Sequence, residues 1–201
     1  MAPGAFCVGR KENDSMGSGT ARLILFVAAS ALLLYASRKS LKAVHSHGFY
    51  RFFAWEAILG LILLNAPVWF DDPLSGLQIA SWLLLCASAV LVVLGVVQLR
   101  AKGKPGIKRN DDSLLAFENT SVLVTTGIYR YIRHPMYSSL LFLAWGAFLK
   151  GVTWYASILV VVATVSLIAT GKADEAECKR HFGAIYEEYM KLTEMFIPFV
   201  A

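Results

Sequence analysis

Charge is what this chain has least of. Only 16% of its 201 residues are Asp, Glu, Lys or Arg, while 57% are hydrophobic and the mean hydropathy is +0.56. A soluble domain carries roughly a quarter charged residues, so the deficit excludes an ordinary soluble globule and points to a protein embedded in a lipid bilayer. Cysteine is also scarce. Cys7, Cys86 and Cys178 fall in a tail, an apolar run and a C-terminal helical segment, with no metal-type spacing and no evident disulfide pair. That removes a disulfide scaffold and a zinc site, and no metal is expected. Internal repeats and low-complexity tracts are missing as well. The remaining charge is basic, with net charge +5 and pI near 9.2. The basic residues sit in loops between apolar runs, which fits orientation in a bilayer rather than binding of nucleic acid.

Five apolar runs follow one another, at residues 21–37, 52–70, 77–99, 135–150 and 152–170. The first is just long enough to span a bilayer. Its Ala29-Ser30-Ala31 resembles a signal-peptidase site, but apolar chain continues beyond it and Arg38-Lys39 follow, as in a retained anchor. The fourth run is short, and Gly151 separates it from the fifth, which predicts an antiparallel hairpin. Residues 1–19 are polar and small and are expected to be a disordered tail, leaving 20–201 as a single membrane domain. After Gly171 the pattern changes to an amphipathic helix over 172–192, with Phe182, Tyr186 and Tyr189 at helical spacing. The expected fold is all-α: an integral membrane bundle of about five transmembrane helices with a C-terminal amphipathic helix.

Loop charges set the topology. The loop 38–51 carries Arg38, Lys39, Lys42 and Arg51 with no acid, and the connection 100–133 is also rich in Lys and Arg. Placing both in the cytoplasm puts the Asp71-Asp72 and Lys150-Gly151 turns outside. Asn119-Thr120-Ser121 then faces the cytoplasm, where it is not glycosylated. Glu56 stands about one turn inside the second run, either as a functional group or as a partner of Arg51.

Residues 123–137, LVTTGIYRYIRHPMY, concentrate Tyr129, Arg130, Tyr131, Arg133, His134 and Tyr137 where the chain enters the fourth run. Side chains that are costly to desolvate do not gather at a membrane boundary for packing alone. Pro135 suits the first position of a helix, and a helix N-terminus suits a carboxylate or phosphate. The plain alternative is an interfacial belt of Tyr and Arg. The hairpin returns Asp174 and Glu175, beyond the fifth run, to the same face as this cluster. Together they define a pocket with a histidine, tyrosines, a helix N-terminus and two carboxylates, suited to a small zwitterionic cofactor and a lipid tail.

At these residues the chain resembles the isoprenylcysteine carboxyl methyltransferase and phospholipid methyltransferase superfamily. Leu123-Val124-Thr125-Thr126-Gly127-Ile128-Tyr129 with Arg133-His134-Pro135-Met136-Tyr137 looks like its cofactor motif. Asp174-Glu175, Phe182-Gly183, Tyr186, Tyr189 and Ile197-Pro198 look like its second motif. The resemblance covers roughly residues 114–198. It implies an integral membrane methyltransferase, in a bacterial inner membrane or endoplasmic reticulum, and the loop charges place its catalytic face in the cytoplasm. S-adenosylmethionine would be bound by Val122, Leu123, Val124, Tyr129, His134, Pro135, Met136, Tyr137, Asp174 and Glu175. Asp174 stands where the family usually has Glu, and Glu175 is the alternative acid. The prenylcysteine enzymes carry a substrate-binding Arg where this chain has Thr170. Lys172 nearby supplies a point charge but not a bidentate fork, so Thr170 and Lys172 are the candidate substrate-binding positions.

The expected reaction is direct in-line methyl transfer to a membrane-embedded lipid or prenylcysteine-like acceptor, without metal or covalent protein intermediate. A carboxylate acceptor is already ionised, whereas an amine needs a base, for which His134 and Glu175 are the candidates. The competing readings are an NADPH-dependent sterol-type reductase and a membrane adaptor without catalysis.

Overall fold

Hydroxyl side chains start three of the long helices. Ser46, Ser75 and Thr153 accept from the backbone N–H of Phe49, Gln78 and Ala156 at 3.2, 3.3 and 3.2 Å. Each satisfies a donor that a helix start leaves unpaired. A computed structural model describes residues 8–103 and 122–198. Residues 1–7, 199–201 and the stretch 104–121, with Asp111, Asp112, Glu118 and Asn119-Thr120-Ser121, lie outside the described residues.

The helices are α1 (Val8–Ser37), α2 (His47–Asn65), α3 (Gly76–Lys102), α4 (Pro135–Lys150), α5 (Trp154–Phe182) and α6 (Ala184–Lys191). Among the described residues there is no strand, and the all-helical membrane bundle is as expected. Four segments are long and apolar enough to cross a bilayer: Gly19–Ser37, His47–Val68, Gly76–Lys102 and Trp154–Phe182. At 1.5 Å per residue, α4 is about 24 Å long, short of the ~30 Å hydrocarbon core. It fills the interior as the fifth helix of the bundle, burying Ala144, Gly146, Ala147 and Lys150.

The closest packing pairs are α3 with α4 and α2 with α5. Ala57, Ile58 and Leu61 of α2 meet Ala144 and Ala147 of α4 and Ala156, Val160 and Ala163 of α5. Small residues let helix backbones approach where no water drives them together. Hydroxyls and amides tie the α3–α4 seam. Ser81 donates to the Gly146 carbonyl and Ser88 to the Ser139 carbonyl, both at 2.7 Å. At the end remote from the 38–51 loop, Asn65 donates to the Ala147 carbonyl at 2.8 Å. There Lys150 Nζ donates to Gln78 at 2.9 Å and stands 3.5 Å from the centre of the Trp82 ring.

Three expectations need correction. Helix α1 begins at Val8, inside the stretch read as an unstructured tail. Extending an existing helix is cheap once it is nucleated, and residues 8–19 hold no proline to stop it. Gly171 does not end α5, which runs on to Phe182. A Cβ at Gly171 would lie 2.8 Å from the Phe196 ring, so this glycine admits a neighbouring chain rather than a turn. The break falls at Gly183, whose φ of 62° is open to glycine at little cost. Glu56 takes a partner on α1, accepting from Ser30 Oγ at 2.6 Å, while its second oxygen is buried without a hydrogen bond.

Gly146 shows how tight the α3–α4 seam is. A Cβ there would sit 2.9 Å from the Leu85 side chain and 3.3 Å from the Ser81 carbonyl. Gly146→Val is expected to destabilise the detergent-solubilised protein by about 1–3 kcal/mol, the usual cost of overpacking. A thermal-unfolding midpoint equal to that of the wild type would contradict this packing.

Candidate functional site

The site begins with a turn that only glycine can make here. Gly127 has φ 65°, and a Cβ on it would fall 2.2–2.4 Å from the Gln98 amide. That amide, on α3, accepts from Ile128 N at 2.9 Å and sets the 3-10 turn Gly127–Arg130 against the bundle. The turn buries Tyr129, whose carbonyl accepts from the Tyr189 hydroxyl of α6 at 2.5 Å.

The next residues open α4. His134 is its N-cap and Pro135 its first helical residue, and no side chain caps this end. The first N–H groups of α4 therefore lack a side-chain cap. Just before it, Arg133 is almost enclosed. Its Nε donates to Glu175 Oε1 at 2.7 Å and its Nη1 to the carbonyls of Met190, at 3.1 Å, and Thr193. Backbone bonds complete the link. Arg133 N and His134 N donate to the Glu194 and Met195 carbonyls at 2.8 and 3.2 Å, and Glu194 N donates to the Tyr131 carbonyl at 3.1 Å. The C-terminal segment is thus strapped across the start of α4, with Phe196 lying over Gly171.

Asp174 and Glu175, adjacent on α5, point about 100° apart around the helix. Glu175 turns to Arg133. Asp174 turns to the cavity, with His134 Nδ1 at 3.4 Å, the Tyr137 hydroxyl donating at 3.3 Å and the Cys178 thiol donating at 3.6 Å. The His134 and Tyr137 rings stack at 5.3 Å. His134 Nε2 is buried without a hydrogen bond, 3.7 Å from Glu175 Oε1.

These groups border an open cavity of about 670 Å³, counted out to its mouth. Its polar side is Arg133, His134, Asp174 and Cys178, and its aromatic side is Tyr129, Tyr137, Phe182, Tyr186 and Tyr189. Leu99, Leu123, Val124, Pro135 and Met136 complete it.

Burial opposes charge on His134, but hydrogen bonding and charge from Asp174 and Glu175 outweigh it, so its pKa lies above the ordinary value of 6.5. Burial raises the Tyr186 and Tyr189 phenols well above their ordinary range, with the nearby carboxylates adding to the effect at Tyr186. Both rings stay neutral at working pH.

Of the residues singled out from the sequence, Leu123, Val124, Tyr129, His134, Pro135, Met136, Tyr137 and Asp174 line the cavity. Val122 is 46% exposed and lies off it. Glu175 is engaged by Arg133. Thr170 is fully buried with its hydroxyl donating to the Ser166 carbonyl at 2.7 Å, Lys172 is exposed, and neither lines the cavity. Arg133, Phe182, Tyr186 and Tyr189 stand in the two motifs but carried no assigned binding role, and Cys178 and Leu99 were not picked out as site residues. Asp174, Cys178 and Phe182 recur every four residues, a legible helical face, whereas only tertiary packing brings Leu99 of α3 here. One trio among the described residues, His47, Asp174 and Glu177, has ligand-type atoms within 4.8 Å of one another. Its His47–Glu177 separation of 2.5 Å is that of a direct hydrogen bond. Two ligands of a tetrahedral ion stand about 3.4 Å apart, so the trio reads as hydrogen bonding.

A histidine whose folded pKa is raised contributes stability that is fully present below its unfolded value and lost as pH rises through the folded one. The thermal midpoint of the wild type is therefore expected to fall as pH is raised from 6.5, and His134→Gln to flatten that part of the profile. Superimposable pH profiles for the two proteins would contradict the assignment.

A family model described as phospholipid methyltransferase matches residues 77–187, just over half of the chain. No curated protein and no solved structure matches. The matched stretch runs from α3 into α6 and holds every residue that borders the cavity except Tyr189. A membrane bundle with a histidine–carboxylate pocket inside that stretch belongs to the phospholipid methyltransferase family.

Proposed function

We propose that this protein transfers a methyl group from S-adenosylmethionine to a membrane-embedded lipid or prenylcysteine-like acceptor, at a site on the cytoplasmic face. The observation that carries the reading is the meeting of Asp174 and the uncapped start of α4 in an aromatic-walled cavity. The residues fit an amino-acid-type cofactor. Asp174 suits an ammonium, and the uncapped N-terminus of α4 suits a carboxylate. The neutral faces of Tyr129, Phe182 and Tyr186 suit a sulfonium. His134 Nε2, buried without a partner, leaves one hydrogen-bonding position for a ligand to fill.

When bound, S-adenosylmethionine supplies an activated methyl group. The chain's own contribution is then orientation and exclusion of water, which account for several kcal/mol of barrier. Arg133 neutralises Glu175 and ties down the C-terminal strap, so the wall behind His134 holds still. Glu175, committed to Arg133, is better placed to support a charged His134 than to act on an acceptor itself. For an amine acceptor His134 is the base, and for a carboxylate none is needed. Thr170, sealed in the bundle, favours no contact with a substrate carboxylate, which weighs against a prenylcysteine acceptor.

The cytoplasmic assignment rests on charge. Arg38, Lys39, Lys42, Arg51, Arg100 and Lys102 cluster at the cavity's end of the bundle. Family membership favours methyl transfer over the reductase and the adaptor.

Thermal unfolding with S-adenosylhomocysteine and with NADPH separates the three readings. A ligand that binds only the folded state at one hundred times its dissociation constant adds about 2.7 kcal/mol. The expected result is stabilisation by the homocysteine product alone, lost in His134→Ala. A response to NADPH alone would transfer the site to the reductase, and a folded protein that responds to neither would leave the adaptor.

A further inference from the structure

Methyl transfer at the cavity gives no task to His47 and Glu177, yet both are built into the wall behind it. The His47 ring is wholly enclosed at the first turn of α2. Glu177 grips it twice, accepting from the ring Nδ1 at 2.5 Å and from the backbone N–H at 3.3 Å. Ser46 already caps α2, and the apolar faces of α2 and α5 pack closely without this pair. Enclosing an imidazole and a carboxylate costs free energy that packing alone does not require.

Glu177 lies three residues after Asp174, so the two carboxylates share a face of α5. Their oxygens and the His47 ring nitrogen fall within 4.8 Å of one another. Two carboxylates at that range repel, and the His47 ring, bonded to Glu177 and within the same 4.8 Å of Asp174, is the cationic-capable group beside both, with Arg51 one turn further along α2. From the opposite side, His134 Nδ1 and the Tyr137 hydroxyl of α4 approach the same Asp174 carboxylate. Asp174 is therefore flanked by α4 and α2.

We propose that His47, clamped by Glu177, is a positioning residue that holds the Asp174 carboxylate directed into the cavity. What Asp174 binds rests on the methyltransferase reading. How it is held does not.

Cys178 reports on this independently of any ligand, because its thiol donates to Asp174 Oδ1 at 3.6 Å and borders the cavity. A thiol held against a carboxylate in a wall is alkylated slowly. In the 201-residue chain carrying Cys7→Ser and Cys86→Ser, Cys178 is the remaining thiol. His47→Ala is expected to raise its rate of maleimide alkylation about tenfold and to weaken S-adenosylhomocysteine binding about tenfold. His47→Asn, whose amide donates where Nδ1 does, is expected to bring both back to within about threefold of wild type. Should His47→Ala fail to fold, Glu177→Ala leaves the imidazole unclamped and is expected to give the same rise in alkylation. A wild-type alkylation rate in whichever of these two variants folds overturns the proposal. Faster alkylation in a wild-type background that binds no S-adenosylhomocysteine supports the positioning role and overturns the methyltransferase reading instead.

Discussion

The Arg133 guanidinium donates to Glu175 on α5 and to the Met190 and Thr193 carbonyls, so three pieces of chain at one end of the bundle meet on a single cation. Both side chains of the ion pair are about nine-tenths buried. Removing one partner of such a pair strands the other charge and typically costs about 3–5 kcal/mol. The rest of the site follows from this contact. With Glu175 committed to Arg133, Asp174 is the acid left to face the cavity. With the C-terminal segment tied down, Phe196 closes over Gly171 and Ser138 donates to the Phe196 carbonyl at 2.7 Å. That contact fixes the first turn of α4, at the uncapped end of the helix.

The two ends of the bundle solve different problems. At the end remote from the cavity, Asn65, Gln78 and Lys150 satisfy one another and the backbone, and the two Lys150–Gln78 bonds are mutual. Among the described residues, no buried side-chain N or O at that end lacks a partner. At the cavity end, the start of α4 is uncapped and His134 Nε2 has no partner. Unpaired buried polarity is costly, and apart from Glu56 Oε1 on α2 the described residues hold it at His134 in the pocket wall, which is the physical reason for assigning the chemistry to that end.

Much of the architecture was legible in apolar run length. The fourth run coincides with α4, because Pro135 and Gly151 punctuate both ends. Runs could not show where α5 stops. A glycine in a helix interior and a glycine at a helix end look alike in sequence, and only the approach of Phe196 to Gly171 and the positive φ of Gly183 tell them apart. The site was legible where its residues are adjacent, as in Arg133-His134-Pro135 and Asp174-Glu175. Which acid faces the cavity was not, since Arg133 decides it through space. His47 was likewise beyond reach of the sequence, because its partner Glu177 is 130 residues away.

The most direct measurement is transfer of isotopic label from methyl-labelled S-adenosylmethionine into lipid extracts of membranes containing the wild-type protein or Asp174→Asn. The account predicts label in the organic-extractable fraction with the wild type and its loss with Asp174→Asn, while the variant still inserts. Undiminished labelling by Asp174→Asn, or none by a folded wild type offered a range of lipid acceptors, would contradict it.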